Sequence, residues 1–477
     1  MASPNQMSDG FKILIAGGSL VGLGLALCFE RAGIDYELFE KGDFAPQLGA
    51  SIGLHPHTIR ILQQLGVWKD IEKEVVPLQH RKHYAGDGSC FEDSHVLVNI
   101  EEILKRPIIF MERCRALEIL HSHVKDKSKL HARTAVIGYE ENAQGVILTT
   151  EDGDHHHGHI LIGADGIHSK VRKLMADKIE PTNKTLAKDI NEAFTSQYSC
   201  IFSVSRNDPE NQFLPNAMVH NVYYDDYSAI AAAGVEGLVF WFLFIKNLES
   251  TRTPNCPRFT DEDAEEYIQK YGSSLVGPGY TVKDLWDARV KATMVPLEEG
   301  VIKKWSHNRV VLMGDSVHKA TVNPGLGGNL AYEGIARLTN GLVPLLKEDP
   351  SPTLEQLTEV FDQYVAGQMP RAETVVGISG QITRYEAQES WILKFAARHI
   401  VPYVSDGLKA KLYSSFSKGG PWLEYLPLPA IDADLVKADK NSSRGVAGKW
   451  IAGTIMVGTA AILWQTCRGL FVGQITT

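Results

Sequence analysis

The chain has 477 residues, of which 44% are apolar and 22% charged, with a net charge of −9 at pH 7. This length suits two or three domains of ordinary globular composition. An acidic balance with scattered Lys and Arg gives no footing for a nucleic-acid partner.

Lys12–Ala16 is a short apolar run that suits a buried strand, and Gly17-Gly18-Ser19-Leu20-Val21-Gly22 follows at once. Leu23 to Ala32 reads as a helix stopped by Gly33, and Tyr36 to Phe39 reads as a second strand ending at Glu40. A βαβ unit with an acid at the second strand's tip, roughly 20 residues past the glycines, is the dinucleotide-binding pattern. Gly17 would allow the tight turn, Gly22 would let helix and strand approach, and the helix N-terminus would face a pyrophosphate. Ser19 stands where the fingerprint has its middle glycine, and it is small enough to leave room for the pyrophosphate. An ordinary crossover with a glycine turn is the competing reading, and this unit alone does not choose between FAD and NAD.

Gly49-Ala50-Ser51-Ile52-Gly53-Leu54 is a small-residue loop where backbone could approach a ligand, with a helix expected over 57–65. Residues 78–107 are strand-like, and Arg113 to Val124 reads as a helix opening on an arginine. Strands are expected at 130–135, 146–150 and 159–162, the last entering Gly163-Ala164-Asp165-Gly166 and then Ser169-Lys170-Val171-Arg172, a second glycine turn before a helix. His155-His156-His157 with His159 looks metal-like, but beside Asp152-Gly153-Asp154 a solvated hairpin tip is the better reading, and no metal site is expected. Ser169 lacks a nucleophile-elbow context, so a hydrolase is not expected.

From about 190 to 290 the pattern has period two, with strands at 200–204, 219–223, 229–232 and 239–245. Within it, Phe240-Trp241-Phe242-Leu243-Phe244 offers an apolar wall, half of which alternation assigns to the core. A buried strand at 309–313 leads into Gly314-Asp315-Ser316, and the glycine-rich loop Asn323 to Asn329 opens a helix over 330–346. Packing or solvent is the default for His318 and Lys319 between them. Residues 354–418 are helical in pattern, and the Pro/Leu-rich stretch 421–429 leads to a polar linker.

Trp450 to Trp464 carries no charge, is flanked by Lys437, Lys440, Arg444 and Lys449, and has a tryptophan at each end. It is shorter than the roughly 20 residues that cross a bilayer upright, but extension past Arg468 is possible if that side chain snorkels. We read 446–477 as a single-pass membrane tail that leaves the preceding domain on the cytosolic side, with the endoplasmic reticulum as its expected membrane. Met1–Gly10 is polar and lacks the apolar core of a secretory signal. Cys28, Cys90, Cys114, Cys200, Cys256 and Cys467 form no C-x-x-C pair, as expected of reduced thiols in a cytosolic setting.

Together, the G-x-S-x-x-G with Glu40, the GADG-x-x-S-x-V-R at 163–172 and the GDS with N-P-G-L-G-G-N at 314–329 resemble the single-component, FAD-dependent aromatic-hydroxylase-type (class A) monooxygenases. The resemblance covers residues 10 to 420. Glu40-Lys41, GASIGL, Glu112-Arg113, GDSVHKATVNPGLGGN and the apolar tail look like fungal monooxygenases of meroterpenoid, indole-diterpene and polyene biosynthesis. A dehydrogenase would explain the first element only, and FAD explains all three.

The resemblance implies an α/β fold: a Rossmann-like FAD domain from 1–77, 108–188 and 290–370, and an inserted substrate sheet from 78–107 and 189–289. A helical segment and linker, 371–445, then leads to the tail. It implies FAD contacts at Gly17, Ser19, Gly22, Glu40, Gly53, Arg113, Asp165, Asp315 and Gly328. Glu40 would take the adenosine ribose, Arg113 the ribityl-pyrophosphate region, Asp315 the ribityl chain, and Gly328 would lie beside the isoalloxazine. Tyr223 or Tyr224 falls where some relatives place a catalytic tyrosine. NADPH would reduce the flavin transiently, without a Rossmann domain of its own, and O₂ would give a flavin hydroperoxide whose distal oxygen is electrophilic. An alkene of a lipophilic prenylated or polyene substrate, giving an epoxide, is the favoured acceptor, and a phenol, giving a hydroxylated ring, is the alternative. A non-catalytic flavin-binding membrane scaffold is the reading from another class. The W-x-W-x-I context of flavin halogenases is not found.

Overall fold

A computed structural model describes residues 10–46 and 51–434. The polar N-terminus, Gly49, Ala50, the basic linker residues and the expected tail lie outside them. Among the described residues no helix is long and apolar enough to cross a membrane.

The KILIA strand, Lys12–Ala16, sits at the middle of a six-stranded sheet ordered Ser306–His307, Val310–Leu312, Ile160–Gly163, Lys12–Ala16, Asp35–Phe39, Leu130–His131. Every pairing is parallel except that of the Ser306–His307 edge. Elements on both faces bury the central strands, which is why they are continuous apolar runs without alternation. Helix Leu20–Ala32 begins earlier than expected and ends where expected, with Gly33 in the left-handed region at φ 73°. Two of the three fingerprint positions need glycine sterically. A Cβ on Gly17 would sit 2.4 Å from the Ala164 carbonyl oxygen, and one on Gly22 would sit 1.9 Å from the Gly17 carbonyl oxygen.

The second layer is an eight-stranded sheet. Its order is His318–Lys319, Arg289–Val301, Thr195–Arg206, Leu238–Arg252, Tyr227–Val235, Met218–Tyr223, His80–Ala85, Cys90–Ser94. Both segments expected to form an inserted sheet therefore lie in one sheet, joined by parallel pairing of 218–223 with 80–85. The expected boundary at 290 falls instead at the start of a strand crossing this sheet, whose far end pairs Gly300 with Lys319 and Val301 with His318. Alternation sorts the aromatic run: Phe240, Phe242 and Phe244 join one buried cluster, and Trp241 and Leu243 the cluster on the opposite face.

The helical region contains Leu354–Glu386, Trp391–His399 and Asp406–Lys418. Leu354–Glu386 packs on Gly327–Glu348, with buried Arg371 forming an ion pair with buried Glu333. Of the cysteines, Cys28, Cys114 and Cys200 are buried free thiols, and Cys90 and Cys256 are free as well.

The histidine run differs from the expected hairpin tip. His155–Gly158 is the second arm of a hairpin that pairs with Val146–Thr150, and the turn is at Asp152-Gly153-Asp154. Alternation exposes His155 and His157 and turns His156 inward. There its Nδ1 meets Glu37 Oε2 at 2.8 Å, while Lys12 Nζ donates to Glu37 Oε1 at 2.9 Å. His131, foremost among these partners, holds the Glu37 carboxyl down to about 2 with Lys12 and His156, against burial.

Candidate active site

The carboxyl ends of the parallel strands and one face of the large sheet enclose a cavity of about 610 Å³. Parallel α/β sheets bind ligands at this end because the glycine turns and helix N-termini gather there. Gly17, Ser19 and Glu40 line it from the first βαβ unit, and Gly53 and Arg113 from the antiparallel pair Ser51–Leu54 and Ile109–Glu112 and its continuation. Asp165, Asp315 and Gly328 line it from the second and third motifs. The three sequence elements, up to 311 residues apart, thus share one cavity (328 − 17 = 311). Gly22 does not line it; its role is the helix–strand contact described above.

Two helices open onto the cavity. Leu20–Ala32 has Ser19 at its N-cap and Gly327–Glu348 has Leu326, and neither cap side chain bonds to the helix. The first N–H groups of both helices therefore have no capping acceptor from the cap side chain, and both positive dipole ends point where an anion or a polarised oxygen would sit. The glycine loop before the second helix is braced by buried Asn329, whose amide donates to the Gly53 carbonyl at 2.8 Å and the Gly325 carbonyl at 2.6 Å. Its Oδ1 accepts from the His55 N–H at 2.9 Å, so the Ser51–Leu54 strand and the loop form one wall.

The charged lining is organised pairwise. Glu40 accepts from the Gly18 N–H at 2.6 Å and the Gly42 N–H at 3.0 Å, which fixes its carboxylate at the strand tip. The Arg113 Nη2 donates to Ser19 Oγ at 2.6 Å. Burial pulls the Arg113 pKa down, opposed by Asp315 and Glu40. Asp315 forms an ion pair with Lys319. Burial drives its carboxyl up, but Lys319, His318 and Arg113 outweigh that, and the net shift is downward. Lys319 lines the cavity, a role that the sequence default of packing or solvent missed. The signal was its spacing: four residues after Asp315, across a turn and not along a helix.

Two expectations are corrected, those at Tyr223 and Tyr224. Asp165 lines the cavity, and its carboxylate also accepts from Ser169 Oγ at 2.5 Å and from the Lys170 and Val171 N–H groups at 2.7 and 3.1 Å. It caps helix Lys170–Ile179 at the orphan donors of its first turn. Tyr223 does not line the cavity. It is buried at the end of strand Met218–Tyr223, its hydroxyl 2.9 Å from His83 Nδ1 and its ring against Phe91 and Tyr385. Tyr224 lies outside the cavity too, donating to the Leu275 carbonyl at 3.0 Å and stacking on Tyr227 at 4.3 Å. The register Phe242–Ile230–Asn221 puts Tyr223, two residues past Asn221, on the same face as Phe242 but one strand beyond 227–235, while Tyr224 turns to the opposite side against Tyr227.

A model of the FAD binding domain family matches residues 11–379. The chain belongs to this family, and it is an FAD-dependent monooxygenase. It is 37% identical over 426 residues to the FAD-dependent monooxygenase ptmM of Penicillium ochrochloron, covering 88% of this chain and 99% of that one. It is 35% identical over 463 residues to the FAD-dependent monooxygenase penM of Penicillium crustosum, covering 97% and 96%. Among solved structures, Klebsiella pneumoniae HpxO complexed with FAD and uric acid superposes with a TM-score of 0.70 at 17% identity, covering 88% of this chain and 100% of that chain. CtdE in complex with FAD and a substrate gives 0.65 at 15%, covering 86% and 99%.

The cavity of the monooxygenase fits a dinucleotide by its own chemistry. Two helix N-termini without side-chain caps, an acid held at the second strand's tip and glycines where a Cβ would collide make a cradle for phosphates, a ribose and a flat ring.

Proposed function

We propose that the enzyme epoxidises an alkene of a neutral, lipophilic intermediate of fungal secondary metabolism, prenylated or polyene, using O₂ and NADPH as transient reductant. The balance is alkene, O₂, NADPH and a proton giving epoxide, NADP⁺ and water. The carrying observation is the wall contributed by strands Thr195–Arg206, Leu238–Arg252 and Arg289–Val301. Its cavity-lining residues are Phe202, Phe242, Thr293 and Val295, with Phe110 meeting Phe242 edge-on at 5.9 Å. These wall residues carry one hydroxyl and no carboxylate, imidazole or phenol, and the cavity's ionisable side chains, His168, Asp315 and Lys319 among them, come from the glycine-motif side. A phenolic substrate against this wall has no base from the wall itself, and its activation needs one. An alkene needs none.

In this reading the bound and reduced flavin supplies the electrophilic oxygen. The chain's own groups position it: Glu40 takes the adenosine ribose, and the N-terminus of Leu20–Ala32 with Arg113 takes the pyrophosphate side. Asp315 takes the ribityl chain, and the Gly327-Gly328 N–H groups stabilise negative charge on the reduced ring. The aromatic wall excludes water, which would otherwise divert reducing power to peroxide. The tail at 446–477 then serves as a membrane anchor, delivering lipophilic substrate to a cytosol-facing site; its deletion should move the protein from the membrane pellet to the supernatant.

A geranylated phenol tests the reading, because it offers both acceptors in one molecule. Oxygen found on the prenyl chain supports epoxidation. A catechol with an untouched chain would replace this reading by aromatic hydroxylation.

A further inference from the structure

The loop that opens helix Gly327–Glu348 is held from outside the cavity by a buried carboxylate that no step above uses. Glu386, the last residue of the helix Leu354–Glu386, is 1% exposed. Its Oε2 accepts from the Asn323 amide at 2.7 Å, and Asn323 opens the glycine loop. Its Oε1 accepts from the Asn221 amide at 3.0 Å and from Arg81 Nη2 at 3.2 Å. The Arg81 Nε in turn donates to Asn221 Oδ1 at 2.9 Å, and Thr383, one turn before Glu386, donates to Asn323 Oδ1 at 2.7 Å.

Asn323 therefore has both ends of its amide fixed by the helix, while the same carboxylate grips two strands of the large sheet. Arg81 lies on His80–Ala85 and Asn221 on Met218–Tyr223, and these two residues belong to adjacent, parallel-paired strands. One carboxylate thus joins three parts that are far apart in sequence: the flavin-side loop, the long helix and the substrate sheet.

We propose that Glu386 is a positioning residue that sets where the Asn323–Asn329 loop holds the flavin ring relative to the acceptor chamber. Burying a carboxylate is costly, and desolvation does raise its pKa against the pull of Arg81, Asn323 and Asn221. A purely packing role would be met more cheaply by an apolar side chain, whereas a loop that must be held at one distance from a sheet needs directional bonds to both. The inference rests on FAD lying in this cavity and is independent of whether alkene or phenol is oxidised.

The test uses the FAD-loaded full chain and its own flavin as the probe. Glu386→Gln keeps shape and removes charge; Glu386→Ala removes the latch; Asn323→Ala removes its loop-side partner. FAD stoichiometry and thermal unfolding report whether cofactor and fold survive. Visible circular dichroism of the flavin and iodide quenching of its fluorescence report ring placement. The expected result is full FAD content in Glu386→Gln with an altered flavin dichroism band and several-fold changed quenching. Asn323→Ala should show the same change, with no further change in the double variant. Glu386→Gln and Asn323→Ala both loaded with FAD and both spectrally wild type would overturn the proposal, as would independent, additive effects. Loss of FAD from the wild-type chain would instead strike the flavin site itself. Half-buried Glu74→Gln, far from the loop, which weakens a pair with exposed Arg115, should leave the spectra unchanged.

Discussion

Arg113 and Ser19 are joined by a 2.6 Å hydrogen bond across 94 residues of sequence. The serine that departs from the dinucleotide fingerprint is thus the anchor for the arginine that reaches the cofactor side of the cavity. A glycine at this position would admit a phosphate equally well but leave Arg113 without this acceptor. Ser19→Gly is expected to weaken FAD binding about fivefold, the equivalent of one hydrogen bond of about 1 kcal/mol. Fluorescence titration of apoprotein with FAD checks it; unchanged affinity would mean Arg113 is placed by other contacts.

Asp315 should cost more. Asp315→Asn removes the charge facing Lys319 and Arg113 and leaves two cations crowded at the cavity wall. A charge-assisted bond of about 1.5–3 kcal/mol converts to a ten- to hundredfold loss of FAD affinity. The purified variant should lose its yellow colour on gel filtration at micromolar protein. A variant that stays yellow would remove Asp315 from the cofactor site.

Tyr223→Phe separates the expected catalytic tyrosine from the observed one. Its hydroxyl meets His83 and lies outside the cavity. The change should cost about 1 kcal/mol of stability through the unpartnered imidazole and leave turnover at the wild-type value. A large fall in turnover with a normal melting temperature would restore the tyrosine to the chemistry.

His220 gives a pH signature. Burial, with Lys82 and His80 adding to it, pushes its pKa from 6.5 to about 4. Above 6.5 the folded and unfolded chains both carry a neutral imidazole, and its contribution is full. As pH falls below 6.5 the unfolded chain takes up a proton that the folded chain refuses, so stability is lost progressively down to about 4. His220→Gln keeps a partner for the Tyr280 hydroxyl, which lies 3.0 Å from His220 Nδ1, and does not titrate. Melting temperatures of the two proteins should therefore converge, or cross in favour of the variant, on acidification through that window. A constant difference would show that His220 is not held neutral.

Much of this was legible in the sequence because local chemistry dictated it. The βαβ unit, the Gly33 stop and the alternation that separates Phe242 from Trp241 follow from period and from glycine sterics, which need no knowledge of distant partners. What escaped was set by tertiary pairing. That Asp165 also caps helix Lys170–Ile179 is seen only in the fold. Tyr223 and Tyr224 cannot be placed until strand 218–223 is seen to lie beyond 227–235, away from the wall strands 195–206, 238–252 and 289–301. Glu386 ends an unremarkable helical pattern, and only the fold brings it to Asn323.

The strand Arg289–Val301 carries Thr293 and Val295 on the acceptor wall and, at its other end, pairs with Lys319, the partner of Asp315. Strands 195–206 and 238–252 carry wall residues without such a connection to the carboxylate. For protein engineering this divides the chamber into separable and inseparable parts. Grafting 238–252 from a relative exchanges scenery around the acceptor while leaving the cofactor cradle alone. Grafting 289–301 exchanges both at once, and changes of substrate made there would have to be bought back in flavin affinity.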